Sequence, residues 1–236
     1  MLEDLRIKIF ADGADIEGIR ALCADGRISG FTTNPTLMRK AGIGDYEAFA
    51  RTLLEHVRVH PISFEVFADD EDEIRRQALK IAAWGENVYV KVPVTTTRRE
   101  PLDAVVRELS ESGVKVNVTA VFSLAQVERV TKALSDGAPA NISIFAGRIA
   151  DSGRDPVPLV REALSIMQAA PLAECIWASP REVLNLVQAD AIGCHIITMT
   201  HDLLGKLGQI GKGLDEYSLE TVQMFHRDAH AAGFSL

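Results

Sequence analysis

Lys91 stands inside VYVKVP, residues 88–93, a run otherwise apolar enough to read as a strand buried on both faces. Burying an ammonium group is costly unless it is paired or gives up its proton. A neutral amine is a nucleophile toward carbonyls. The alternative use of such a lysine is a structural ion pair, for which Asp12 and Glu65 are the candidate partners. Other polar residues interrupt apolar runs in the same way. Asp12 ends the run RIKIFA, Thr33 and Asn34 end SGFTTN, and Glu65 lies in SFEVF between Phe64 and Val66. Asn117 and Thr119 lie in VKVNVTA, Asn141 and Ser143 in NISIFA, and Ser179 ends ECIWAS. One amine, two carboxylates and several hydroxyl and amide groups together meet the needs of Schiff-base chemistry. That chemistry takes an amine, an acid/base to dehydrate the carbinolamine, and a second base for a substrate hydroxyl. Asp12 could instead cap a helix, but Asp15 directly precedes IEGIRAL and is the better cap.

Two arginines follow late apolar runs: Arg148 in IFAGRIAD and Arg181 in ASPRE. Guanidinium forks suit phosphate oxygens. Their structural alternatives are an Arg148–Asp151 pair at i+3 and, for Arg181, a solvated place in a first helical turn. A cation at a helix N-terminus opposes the dipole, which favours an anionic ligand there.

These residues need elements to hold them. Strand-like runs fall near 6–11, 29–34, 61–67, 87–92, 114–120, 141–146, 174–179 and 194–199. Between them lie amphipathic segments such as YEAFARTLLEHVRVH, EDEIRRQALKIAAWG, LAQVERVTKALSDG and DPVPLVREALSIMQAA. Strict strand–helix alternation predicts a parallel sheet covered by helices. Eight such units in 236 residues predict a single-domain α/β (β/α)8 TIM barrel spanning 1–236. The runner-up, an open doubly wound sheet, lacks its G-x-G-x-x-G after the first strand. Barrel enzymes place their chemistry at the carboxyl ends of strands, where the polar intrusions above would meet. Period-2 alternation puts Lys91 on the face of Tyr89, with Val88, Val90 and Val92 opposite.

The tail DEYSLETVQMFHRDAHAAGFSL reads as an extra C-terminal helix that either caps the barrel or packs on a neighbouring subunit. GKLGQIGKG reads as a flexible connection. His226 and His230 read as surface residues, His195 as core, and His201–Asp202 as support behind the site. The net charge of −8 disfavours nucleic acid and anionic membrane as main partners. No apolar run approaches the roughly 20 residues of a membrane span, and the first residues show no signal-peptide pattern. Cys23, Cys175 and Cys194 have no metal-ligand spacing. A soluble, cytoplasmic setting is expected, with no metal site.

The segments FADGADIEGI, GFTTNPTLM, FEVFA, VYVKVPVT, VKVNVTAVFSLAQ, IFAGRIAD and ASPREV, in this order, resemble the transaldolase family. The likeness is to its small subfamily, which includes the fructose 6-phosphate aldolases. The resemblance implies a class I aldolase barrel without metal or organic cofactor, acting on sugar phosphates in the pentose phosphate pathway. It implies Lys91 as the Schiff-base residue, Asp12 as the acid/base, and Glu65 with Thr119 as the holders of a catalytic water. Thr33, Asn34, Asn117 and Ser143 fall at or beside positions for the dihydroxyacetone part of the substrate. Arg148, Ser179 and Arg181 match phosphate positions. Glu65 and Phe145 are the transaldolase-type residues where the aldolases of the subfamily carry Gln and Tyr. Transaldolase is therefore the leading activity. An aldolase releasing free dihydroxyacetone and a non-catalytic sugar-phosphate-binding barrel are the alternatives. The loop TTTRREPLDAV is longer and more charged than the usual subfamily version, and ASPREV is terser. The resemblance also implies a homo-oligomer, a pentamer or decamer, with the terminal helix reaching a neighbour.

Overall fold

The computed structural model describes residues 4–234. Its strands are β1 (Lys8–Asp12), β2 (Ile28–Thr32), β3 (Ile62–Glu65), β4 (Val88–Pro93), β5 (Val116–Val121), β6 (Ala140–Ile144), β7 (Ala173–Trp177) and β8 (Ile196–Thr200). They pair in sequence order and close into a barrel. β8 returns to β1 in parallel, with Lys8 opposite Ile196 and Asp12 opposite Thr200. The expected (β/α)8 barrel is the observed fold.

The helices are α1 (Ile16–Leu22), α2 (Pro35–Lys40), α3 (Tyr46–His56), α4 (Glu71–Ala82), α5 (Asp103–Glu111) and α6 (Leu124–Leu134). They continue as α7 (Ala146–Asp151), α8 (Pro156–Met167), α9 (Leu184–Ala191), α10 (His201–Leu204) and α11 (Leu214–Ala231). Local chemistry sets their starts. Asp15 caps α1 by accepting from the Gly18 amide, as its position predicts. Ser123 and Gln126 form a reciprocal capping box on α6. α2 and α7 were not anticipated: at six residues each they are too short to show a period. A 3-10 turn at Leu207–Gln209 lies within the expected flexible connection, and buried Leu207 anchors it.

The strands are apolar on their outer faces because helices cover them. Val88, Val90 and Val92 are buried there, together with Phe64, Ile62, Leu53 and Ile74 of the surrounding layer. Inside the barrel a smaller cluster of Phe10, Ile176, Ala178 and Ile196 forms an apolar floor, with Phe145 packed against it. Gly30 makes room for this floor, since a Cβ there would come within 2.5 Å of the Phe10 ring.

α11 does not cap the barrel: none of its side chains is buried. It leaves Leu214, Val222 and Phe225 largely exposed. His226 and His230 lie on this helix as expected for surface residues, their rings 4.5 Å apart. Among the described residues no helix is long and apolar enough to cross a membrane.

Candidate active site

Parallel register assembles the site. Glu65 pairs directly with Lys91 across β3 and β4, and Asn117 pairs with Lys91 on the β5 side. Asp12 pairs with Thr32 across β1 and β2. Inward-facing polar residues from separate strands therefore meet at the carboxyl end of the barrel.

Lys91 is only 7% exposed. Its Nζ donates to the Thr33 carbonyl at 3.0 Å and lies 3.5 Å from Glu65 Oε2. The ion pair weighed as the alternative use of Lys91 does form, and its partner is Glu65, whose side chain stays partly open to solvent. Asp12 sits within the field of the same ammonium. Burial pushes its carboxyl above the usual carboxylate range. The Lys91 charge, the Thr32 hydroxyl and the Asn34 amide pull the other way without cancelling that effect.

Two hydrogen-bond chains hold these groups. Thr32 Oγ1 donates to Asp12 Oδ1 at 2.8 Å and lies 2.5 Å from Thr198 Oγ1. A hydroxyl has one proton, so Thr198 supplies the second bond when Thr32 donates to Asp12. In the other chain, Ser143 Oγ donates to Asn117 Oδ1 at 2.7 Å, and Asn117 Nδ2 donates to Ser63 Oγ at 3.0 Å. Asn34 has two roles: Oδ1 caps α2 at the Leu37 amide, and Nδ2 points to Asp12 Oδ2 at 3.4 Å. Thr119 lies where the β5–β6 register shifts, beside Ala120 at φ +58°. Such a bulge re-aims a side chain. The Thr119 hydroxyl makes no hydrogen bond within the described residues.

Thr33 is placed differently from its expected role. Its hydroxyl donates to the Ser63 carbonyl at 2.9 Å, so the backbone carbonyl of Thr33, not its side chain, meets Lys91. The inward hydroxyl is that of Thr32, its neighbour. The Arg148–Asp151 pair, the structural alternative for Arg148, does not form. Arg181 takes Asp151 instead, with Nε at 3.0 Å from Oδ1 and a second bond from Nη2 to Oδ2. That fork holds the Asp151 carboxyl below its usual range. Arg148 is exposed, its guanidinium carbon 5.2 Å from the centre of the Phe145 ring. Ser179 adopts φ +61°, a left-handed conformation for a residue with a side chain. The charged loop after β4 folds back through a Thr95–Pro101 bridge, and the Thr97 amide and hydroxyl tie it to Asp69.

Tyr46 was missed in the sequence. Its hydroxyl accepts from the Glu65 amide at 2.7 Å and donates to the Glu65 carbonyl at 3.0 Å, which fixes the end of β3. Burial raises its phenol above the usual range. Its ring packs edge-on to Phe64 and Phe67. A tyrosine opening the amphipathic α3 gives no sign of this in the sequence. Tyr46→Phe leaves both Glu65 backbone groups without a partner and is expected to cost about 2 kcal/mol. Thermal unfolding reads that as a fall in Tm of roughly 4–8 °C for a chain of this size. An unchanged Tm would show that water replaces the phenol at no cost.

The architecture is that of a barrel enzyme, with polar groups converging on the carboxyl-terminal mouth above an apolar floor. The sequence model of the transaldolase/fructose-6-phosphate aldolase family matches residues 9–236, and the chain belongs to that family. A probable transaldolase of Dehalococcoides mccartyi is 35% identical over 204 residues, covering 86% of this chain and 91% of the relative. One from Herpetosiphon aurantiacus is 36% identical over 224 residues, covering 92% and 96%. Among solved structures, 2,3-dimethylmalate lyase, of the PEP mutase/isocitrate lyase superfamily, superposes with a TM-score of 0.58. It covers 99% of this chain and 86% of its own at 12% identity, a likeness of fold alone.

Proposed function

We propose that the chain is a transaldolase that works through a Schiff base on Lys91. One observation carries this reading: the Lys91 amine is enclosed at the barrel mouth, within 3.5 Å of Glu65 and in the field of Asp12. Lys91 Nζ passes a proton to Glu65 across their 3.5 Å contact and, as the neutral amine, attacks the C2 carbonyl of a ketose phosphate. Glu65, through a water shared with Thr119, moves protons while the carbinolamine loses water to form the iminium. Asp12 takes the C4 hydroxyl proton, the C3–C4 bond breaks, and its electrons pass to the iminium as an enamine. The enamine carbon then attacks the carbonyl of an aldose phosphate acceptor. Asn34, Asn117 and Ser143 bind the three-carbon unit. Arg148, Ser179 and Arg181 bind phosphate, with Asp151 orienting the Arg181 fork. Phe145 has no hydroxyl with which to protonate the enamine, so the three-carbon unit waits for an acceptor.

Two measurements test this. Fructose 6-phosphate is expected to turn over with an aldose phosphate acceptor and to release little dihydroxyacetone without one. Equal release in both cases would make the chain an aldolase. Borohydride reduction during incubation with the ketose is expected to leave a mass increment on Lys91. A folded chain with no increment across several ketoses would be a sugar-phosphate-binding barrel without catalysis.

The same reading gives a cytoplasmic, one-domain enzyme that assembles as a homo-oligomer of pentamer or decamer type. The exposed apolar side chains of α11, Leu214, Val222 and Phe225 among them, support assembly. Light scattering of the full chain is expected to give several times the mass of one chain, and a monomer at micromolar concentration would overturn it.

A further inference from the structure

Asn141 interrupts the apolar run of β6, and the proposed reaction gives it no task. The residue is only 2% exposed. Its side chain nevertheless makes no hydrogen bond among the described residues, and an enclosed amide without a partner is costly. It lines a pocket of about 220 Å³. Lys8 opens β1, Pro61 just precedes β3, and Ser29, Tyr89 and Glu174 are, like Asn141, the second residues of their strands. The pocket therefore occupies the amino end of the barrel, opposite the mouth. Phe10 belongs both to this pocket and to the apolar floor, so the floor separates the pocket from Lys91.

One row of paired residues joins the two ends. Glu65 pairs with Lys91, Lys91 with Asn117, Asn117 with Asn141, and Asn141 with Glu174. Barrel strands tilt, so such a row descends as it goes round. Its first members serve the mouth and its last two the pocket. There Lys8 Nζ donates to Glu174 Oε1 at 2.7 Å. Among the described residues these are the charged side chains that line the pocket, and they neutralise each other. An ionic ligand would have to divide them; a neutral one would not. Besides Asn141, the Ser29 and Tyr89 hydroxyls make no hydrogen bond among the described residues. Phe10, Pro61 and the Tyr89 ring supply apolar surface beside these groups.

We propose that the amino end of the barrel is a second binding site, for a neutral polyol of about five carbons. A polyol offers donors and acceptors on successive carbons, and the Asn141 amide supplies both kinds in return. Its C–H faces lie against Phe10, Pro61 and the Tyr89 ring. The pocket has the space of about seven waters, and sites for drug-sized ligands begin at roughly 300 Å³, so a nucleotide does not fit. The proposal is independent of the chemistry at Lys91, which the floor keeps apart.

Xylitol is the probe, because it has no carbonyl with which to form an imine at the mouth. Ligand-observed NMR titration of the full chain is expected to show saturable binding in the millimolar range. Asn141→Leu nearly keeps the side-chain volume, and Tyr89→Phe removes only a hydroxyl. Each is expected to weaken xylitol about fivefold, the scale of one lost hydrogen bond. If Asn141→Leu does not fold, Tyr89→Phe decides alone. Lys91→Met is expected to bind xylitol as the wild type does. Glycine and inorganic phosphate are expected not to displace it, since either would have to open the Lys8–Glu174 pair. Absence of saturable binding, or unchanged affinity in either folded pocket variant, overturns the proposal. Weaker binding by Lys91→Met would place xylitol at the mouth, and displacement by glycine or phosphate would make the pocket a site for ions; either result overturns it too.

Discussion

Lys91→Met is expected to lower kcat by about 10⁴-fold or more, the scale seen when a covalent nucleophile is removed. Methionine nearly matches lysine in volume, so the barrel interior stays filled. On the proposed reading, what disappears is the amine that forms the imine: Glu65, Asp12 and Thr119 remain but have no iminium to serve. Breaking a buried ion pair commonly costs about 3–5 kcal/mol because the surviving charge is stranded. Glu65 largely escapes this, since its side chain keeps 18% exposure and reaches water. Asp12 does not. Burial already holds its carboxyl above the usual range, and the Lys91 charge is the largest influence opposing that. Without the ammonium the Asp12 proton is held to still higher pH. A carboxyl whose folded value is raised stabilises the fold at low pH and loses that stability as pH rises through the folded value. The Tm of Lys91→Met should therefore be close to wild type near pH 4 and fall progressively below it toward neutrality. Turnover, a borohydride trap and unfolding at two pH values read all three effects. Retained turnover would remove Lys91 from the mechanism. A Tm gap that shrinks with rising pH would show that Asp12 does not sense this lysine.

The barrel was legible because its strands are covered on both faces. Apolar runs such as 88–92 and 141–146 stand out against amphipathic helices, and a lysine inside one of them is conspicuous. Which neighbours meet across strands was not legible. Spacing along the chain does not give the register between strands, and register decides that Thr32, not Thr33, turns inward to Asp12. Ser63 and Thr198 were missed for the same reason: each is an ordinary hydroxyl in its own strand and gains a role only from a partner more than fifty residues away. The Arg181–Asp151 fork spans 30 residues, whereas the i+3 pairing with Arg148 was the one local rules offered. α11 showed the reverse limit. Its amphipathic pattern announced a helix, but a pattern does not say what lies on its apolar face, and the barrel does not.

Gly147→Ala is expected to be the most damaging small substitution outside the polar cluster. A Cβ at Gly147 would overlap the Ser179 carbonyl oxygen and lie 2.6 Å from its carbon. Backbone cannot swing aside as the end of a long side chain does, and this backbone is held on both sides. The Ala178 amide donates to the Ile144 carbonyl at 2.8 Å, the Ala178 carbonyl accepts from Gly147 itself at 3.3 Å, and the Arg181 amide donates to Asn185 at 2.7 Å. Ser179 between them is already at φ +61°. The strain resolves by lifting α7 away from the turn after β7, at about 3 kcal/mol, the upper range for overpacking. That corresponds to a fall in Tm of roughly 6–12 °C. The same displacement separates Arg148 from Ser179 and Arg181. The KM for a ketose phosphate should then rise about tenfold or more, as misplaced binding groups cost. The KM for the unphosphorylated ketose should change little, because Lys91, Asp12 and Glu65 lie on other strands. If both KM values rise together, the lesion has spread to the barrel mouth. If neither moves and Tm holds, α7 yields without cost, and the close approach of these two segments does not fix the phosphate end.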